Sequence, residues 1–149
     1  MAQPPASTPI GMESVTENTA PSKRQKASYV GAPAIFALNL CCQQINAAFG
    51  LFGCYLVGSA IERPDWRDVD VRFILSDEEF SNLFPDAVTT SAAWEHDPRW
   101  AILNTGISWW LRNATGLPVD FQFQPQTWAN ERHNKMRHAL GMQVVREAE

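Results

Sequence analysis

The sequence predicts an α/β domain of the two-layer α+β kind, a small mixed sheet of at least three strands with helices packed mainly on one face. Three observations predict it. The chain has 149 residues, 45% of them hydrophobic, which is one domain's length with enough apolar side chain for one core. Two stretches, Asp68 to Leu75 and Leu117 to Gln124, alternate apolar and polar residues with the period of a strand covered on one side. Around them lie segments whose apolar residues recur at the three- and four-residue steps of a helix.

In chain order, residues 1–30 carry four of the ten prolines, many Ser and Thr, and almost no aromatic or branched apolar residue. Such a stretch buries too little surface to offset its ordering entropy, so 1–30 reads as a flexible tail and 31–149 as the domain. The tail's Lys23-Arg24-Gln25-Lys26 reads as a solvated linker, with contact to a phosphate backbone or a partner as the alternative. From Pro33, Ile35, Leu38, Cys42, Ile45 and Phe49 form the apolar stripe of a helix, with Asn39, Gln43 and Asn46 elsewhere and Gly50 and Gly53 closing it. Cys54 to Val57 is a short apolar strand ending in Gly58-Ser59, and Pro64 stops the turn of helix that Ser59 begins.

Val69, Val71 and Phe73 take one face of the next strand, Asp68, Asp70 and Arg72 the other. Ser76 caps a short helix with Glu79 completing a capping box, and Phe80, Leu83 and Phe84 supply its apolar side. Residues 85–93 read as a loop. Asp97-Pro98 starts a helix with a buried stripe of Trp100, Leu103, Ile107 and Trp110, ended by Gly116. In the strand that follows, Val119, Phe121 and Phe123 oppose Asp120, Gln122 and Gln124, and Pro125 terminates it. A last helix is expected over 127–140, with Gly141 as its C-cap and Arg132, His133, Lys135, Arg137 and His138 on its exposed side.

Charge and cysteine usage narrow the function classes. Residues 31–125 carry five basic against eleven acidic side chains, and such a body argues against broad nonspecific binding to nucleic acid. Cys41-Cys42 and Cys54 match neither a disulfide framework nor zinc spacing and read as small buried hydrophobes with reduced thiols. No apolar stretch approaches the roughly 18 residues of a membrane span. The start, Met1-Ala2-Gln3-Pro4-Pro5, lacks the basic and apolar regions of an export signal, so a cytoplasmic protein with no membrane partner is expected.

The period of two sets Asp68 and Asp70 on one strand face, and a neighbouring strand could bring Asp120 beside them. Close like charges are unfavourable unless divalent cations share them, and an all-oxygen set favours Mg2+ or Mn2+. At the Gly58-Ser59 turn the backbone can approach a ligand closely, with N–H groups and a hydroxyl turned toward phosphate oxygens. Two-metal nucleotidyl transfer needs this combination.

The pattern Leu56-Val57-Gly58-Ser59, then Asp68-Val69-Asp70, then Val119-Asp120-Phe121 resembles the nucleotidyltransferase superfamily that includes DNA polymerase beta and the minimal nucleotidyltransferases. The resemblance covers residues 33–125. It implies that Gly58 and Ser59 hold the triphosphate, that Asp68 and Asp70 bind the metals, and that Asp120 binds one of them and helps activate the acceptor. The segments Val119-Asp120-Phe121-Gln122 through Asn130-Glu131-Arg132 and Arg137-His138-Ala139-Leu140-Gly141 are also similar to small nucleotidyltransferase-like proteins of bacteriophage genomes. The chain departs from the pattern at Pro64 and Trp66, where many members have glycine and small polar residues, which implies a stiffer loop over the triphosphate. It also lacks the second domain with which larger members hold their acceptor, so a partner protein, a homo-oligomer or the tail is expected to supply that surface.

The expected function is therefore Mg2+-dependent transfer of a nucleoside monophosphate from a nucleoside triphosphate, ATP among them, to a hydroxyl of RNA, protein or a small molecule, with release of pyrophosphate. The alternative is a non-catalytic nucleotide-binding protein, sensing or sequestering its ligand in the same pocket. A third reading is an interaction module whose aspartates only stay wet. Arg72 is expected to pair with one of the aspartates rather than with phosphate. The basic stretch 127–140 reads as a solvated face, with Arg132, Lys135 or Arg137 offered to a triphosphate or RNA acceptor as the alternative. His96, His133 and His138 read as surface residues; Trp100, Trp109 and Trp110 read as core, and Trp66 as a possible stacking surface for a base.

Overall fold

The computed structural model describes residues 28–50, 53–87 and 93–142, so most of the expected tail and half of the expected 85–93 loop lie outside the described residues. The elements run α1 (Ala34–Phe49), β1 (Cys54–Val57), α2 (Ser59–Glu62), β2 (Val69–Leu75), α3 (Asp77–Leu83), a 3-10 turn (Ala93–His96), α4 (Pro98–Thr115), β3 (Val119–Pro125), α5 (Gln126–Arg132) and β4 (His138–Leu140). The strands form one mixed sheet in the order β3-β2-β1-β4, with β2 and β3 parallel and β1 antiparallel to both its neighbours. This is the two-layer α+β architecture that the sequence predicts, with β4 in addition to the three strands read from it.

Strand alternation sets the core. Cys54, Leu56, Val69, Val71, Phe73, Val119, Phe121 and Phe123 are buried on the sheet face that meets α1 and α4. α1 buries Leu38, Cys42 and Ile45 as its stripe dictates. Phe49 packs its ring edge-on to Phe123 at 4.9 Å between centroids, and Phe73 and Phe84 approach the same ring at 5.4 and 5.8 Å. All three cysteines are free; Cys42 and Cys54 are buried, and the Cys42 thiol beside it together with burial pushes the Cys54 thiol up, so it stays protonated. At α3, Ser76 Oγ accepts the Glu79 N–H at 3.1 Å, as the capping pattern requires. Upstream, Tyr29 and Val30 join the domain although the composition assigns them to the tail: the Tyr29 N–H donates to Ala60 O at 2.7 Å and Val30 is buried.

The buried face of α4 differs from the expected one. Trp100, Asn104, Ser108 and Leu111 are inside, whereas Trp110 and Trp109 are exposed, 41% and 63%. The reason is the free edge of β3, whose outward backbone groups need partners. Trp100 Nε1 donates to Phe123 O at 2.9 Å, the Phe123 N–H to Asn104 Oδ1 at 3.0 Å, the Phe121 N–H to Ser108 Oγ at 2.9 Å, and Arg112 Nε to Val119 O at 2.8 Å. Four residues of helix advance about 6 Å and two of strand about 6.7 Å, so side chains spaced by four on α4 track the edge of β3 step by step. Hydropathy cannot reveal a stripe whose task is hydrogen bonding.

The expected helix over 127–140 is also corrected. It ends at Arg132, and His138–Leu140 pair instead with β1, Leu140 opposite Cys54 and His138 opposite Leu56. Arg137 folds the connection back, donating to His133 O at 2.9 Å and Asn130 Oδ1 at 2.8 Å. Gly141 does not cap a helix: at φ +71° it passes so close to α1 that a Cβ there would lie 2.6 Å from the Cys42 carbonyl carbon. Asn39 and Asn46 hold this junction, accepting from the Gly141 N–H at 3.0 Å and the Cys54 N–H at 2.9 Å.

Candidate functional site

The second face of the sheet is polar where the site lies. Pairing aligns Val57 with Asp70 and Asp70 with Asp120 in one row, and Tyr55 with Arg72 and Arg72 with Gln122 in the next. Two aspartates fifty residues apart in the chain therefore stand side by side, because parallel pairing of β2 with β3 puts them in register. Asp68 precedes β2 and is exposed, while Asp70 is half-buried. Asp68 lies near enough to act electrostatically on Asp70.

Arg72 occupies the space between the aligned carboxylates. Its Nη2 lies 3.3 Å from Asp120 Oδ2 and 3.7 Å from Asp70 Oδ1, and its Nη1 donates to the Asp120 carbonyl at 2.7 Å. The expected salt bridge is thus made to both aspartates. Burial still raises the pKa of Asp70; Arg72 opposes this, while Asp120 and Asp68 add to it by repulsion. The site carries more negative charge than one buried guanidinium neutralises.

Gly58 ends β1 beside this row. Its backbone, φ +77° and ψ −152°, lies in a region reserved for glycine, and a Cβ there would come 2.5 Å from Asp70 Oδ2. The Gly-Ser turn and the strand aspartate therefore meet, with Ser59 opening α2, and the Ile61 N–H and Arg63 N–H return to Gly58 O and Ser59 O. Trp66 donates its indole N–H to Tyr29 O at 3.1 Å and packs against the core, which fixes it to the segment entering the domain.

Three residues of the site have weaker sequence signals. Gln122 Nε2 donates to Asp120 Oδ2 at 3.4 Å, Gln124 Nε2 donates to Gln122 Oε1 at 3.2 Å, and His133 Nε2 lies 3.2 Å from Gln124 Oε1. Because an amide oxygen only accepts, His133 carries its proton on Nε2, and every donor in the chain points toward Asp120. The signal for the glutamines is the same period of two that exposes Asp120; for His133, which follows α5, no local pattern existed. Arg132 lies over the Trp128 ring at 5.0 Å and Arg137 over the Tyr55 ring at 5.9 Å, so neither is simply a solvated charge.

Burial, with Arg72, Arg137 and Arg132 nearby, pushes His133 down to about 4 from its ordinary 6.5. The unfolded chain takes up this proton as pH falls below 6.5 while the folded protein does not, so stability is lost between 6.5 and about 4. His133→Gln is expected to flatten the acid limb of the stability profile in that window, read from urea midpoints across pH. An unchanged limb would place the acid sensitivity elsewhere.

The oxygen donors suit Mg2+ or Mn2+ in kind, and three aspartates with one guanidinium among them leave an acidic site that favours a cation. As the side chains stand, however, no three His, Cys, Asp or Glu residues come together closely enough to hold an ion among the described residues. Also among the described residues, no helix is long and apolar enough to cross a membrane. No family model, no curated protein and no solved structure matches this chain.

Proposed function

We propose that this protein is a metal-dependent nucleotidyltransferase of the DNA polymerase beta-like superfamily, acting in the cytoplasm to move a nucleoside monophosphate from a nucleoside triphosphate to a hydroxyl acceptor. The observation that carries this reading is the row Val57–Asp70–Asp120, with Gly58 pressed against the Asp70 carboxylate at its end. Asp68, Asp70 and Asp120 would hold Mg2+ or Mn2+, which supplies positive charge for the phosphate oxygens and lowers the pKa of a bound hydroxyl. Gly58 admits the triphosphate to close approach and the Ser59 hydroxyl donates to a phosphate oxygen. The acceptor oxygen forms its bond to the α-phosphorus as the bond to the bridging oxygen of pyrophosphate breaks, and a carboxylate oxygen of Asp120 receives the hydroxyl proton. Gln122, two residues along the same strand, donates to that carboxylate, with Gln124 and His133 behind it.

The test is pyrophosphate release with Mg2+ and each of the four nucleoside triphosphates, offered RNA, protein and small-molecule acceptors in turn. The natural protein is expected to release pyrophosphate with one nucleotide and one acceptor class, and Asp70→Asn to be slower by at least about a hundredfold. Equal rates in the two proteins would remove the reading.

A second reading is favoured by Arg72, whose guanidinium sits between the carboxylates that would share a cation. In that reading the pocket captures a nucleotide without turning it over, as a sensing or sequestering protein. It predicts that a bound nucleotide stays chemically unchanged and that its affinity is indifferent to Mg2+.

A further inference from the structure

We infer that the groove between α4 and the edge of β3 is the acceptor subsite and that it takes a nucleobase, so that the acceptor is a nucleoside or the end of an RNA rather than a protein hydroxyl; this rests on the nucleotidyltransferase reading. The groove has a volume of about 250 Å3 and is lined by Asn104, Ser108, Trp109, Arg112, Asp120 and Gln122 among others. Ligand cavities for drug-sized molecules run roughly 300–1,000 Å3, so this one has room for a single ring system with its sugar. Its position follows from the strand order. Gly58 ends β1 on one side of the carboxylates and the groove lies beyond Asp120 on β3, the outermost strand on the other side. A triphosphate held at Gly58-Ser59 leaves the groove to the second substrate, with Asp120 between the two.

The lining selects the chemistry. Trp109 stands 63% exposed on the groove wall, a wide aromatic face on which a flat heterocycle stacks. Asn104 is only 5% exposed, and its Oδ1 is committed to the Phe123 N–H at 3.0 Å, which fixes the amide orientation. The other end of that amide, Nδ2, is itself buried and has no hydrogen-bond partner among the described residues, an unfavourable state for a donor. Arg112 spends its Nε on Val119 O, which pins the guanidinium at the groove and leaves its terminal N–H groups for a ligand. A stacking face beside fixed N–H donors suits a base whose edge carries carbonyl oxygens, as guanine and uracil do. A serine side chain brings no ring, and a tyrosine ring brings no carbonyl edge.

The test uses guanosine and uridine, which carry no phosphate and therefore read the groove without the triphosphate site. Their binding to the full-length protein, to Trp109→Ala, to Arg112→Ala and to Asp70→Asn is followed by NMR, with circular dichroism reporting the fold of each variant. At least one of the two nucleosides is expected to bind the natural protein and Asp70→Asn alike, and to bind folded Trp109→Ala at least about tenfold more weakly. Nucleoside affinity unaltered in both Trp109→Ala and Arg112→Ala overturns the inference. So does the absence of binding at millimolar nucleoside while Mg2+ and a nucleoside triphosphate still bind. Nucleoside binding that depends on Trp109, in a protein that takes up no triphosphate with Mg2+, upholds the groove as a nucleobase site and overturns the transferase reading and with it the acceptor role.

Discussion

Arg72→Met is expected to lower stability by about 2–4 kcal/mol at neutral pH, and the loss is expected to shrink as the solution is acidified. The side chain is 10% exposed and its guanidinium faces Asp70, 26% exposed, and Asp120, 43% exposed. Removing one partner of a buried ion pair costs about 3–5 kcal/mol, and the partial exposure of Asp120 lets water take up part of that. The pH dependence follows from Asp70. Its pKa is already raised in the folded protein, so the folded state takes up a proton more readily than the unfolded chain. Stability is therefore favoured below the ordinary carboxylate range and lost as pH rises through the raised value. Without Arg72 nothing opposes burial and repulsion, and that dependence steepens. Urea midpoints of both proteins at neutral and mildly acidic pH measure it. Mg2+ is expected to stabilise Arg72→Met more than the natural protein, because a cation then meets two aligned carboxylates with no guanidinium between them. A variant as stable as the natural protein at every pH would mean that the guanidinium does not neutralise this pair.

Gly58→Ala is expected to cost about 2–6 kcal/mol and to abolish binding of a triphosphate. Two terms add. The backbone at φ +77° and ψ −152° strains any L side chain by about 1–3 kcal/mol, and a Cβ 2.5 Å from Asp70 Oδ2 forces the carboxylate or the turn to move, at about 1–3 kcal/mol more. The terms separate in a double-mutant cycle. In an Asp70→Ala background the clash is gone and only the backbone term remains, so Gly58→Ala should cost less there by about 1 kcal/mol or more. Additive effects would show that the close approach of Asp70 does not set the requirement for glycine.

Much of this arrangement was legible from local pattern. The period of two in Val69–Leu75 and Val119–Pro125 gave the sheet its core face and set Asp70 and Asp120 on the other, and Ser76 and Gly116 marked helix ends where the structure has them. What escaped was governed by contacts distant in sequence. β4 is a three-residue strand in a stretch rich in helix formers, and only pairing with β1 and the Arg137 contacts with α5 make it extended. Asn104 and Ser108 look like breaks in an apolar stripe until the uncovered edge of β3 is known. The same holds for the tryptophans of α4: core is the ordinary reading of Trp109 and Trp110, but hydrogen bonding to the edge turns the helix and leaves both outside. At the site, the sequence pattern named Asp70, Asp120 and Gly58, and the register brought them together. It did not foresee that Arg72 would bridge both acids, because the choice of partner depends on which strand lies alongside.

Nucleotide binding at the aspartate row is tested most directly by thermal unfolding of the natural protein and of Asp70→Asn with each of the four nucleoside triphosphates, with and without Mg2+. A ligand at about 100 times its dissociation constant adds roughly 2.7 kcal/mol of stability, a shift of several degrees in a domain of this length. A rise in Tm is expected with one or more nucleotides, requiring Mg2+ and disappearing in Asp70→Asn. No rise with any nucleotide, or an equal rise in the two proteins, would contradict binding at that row.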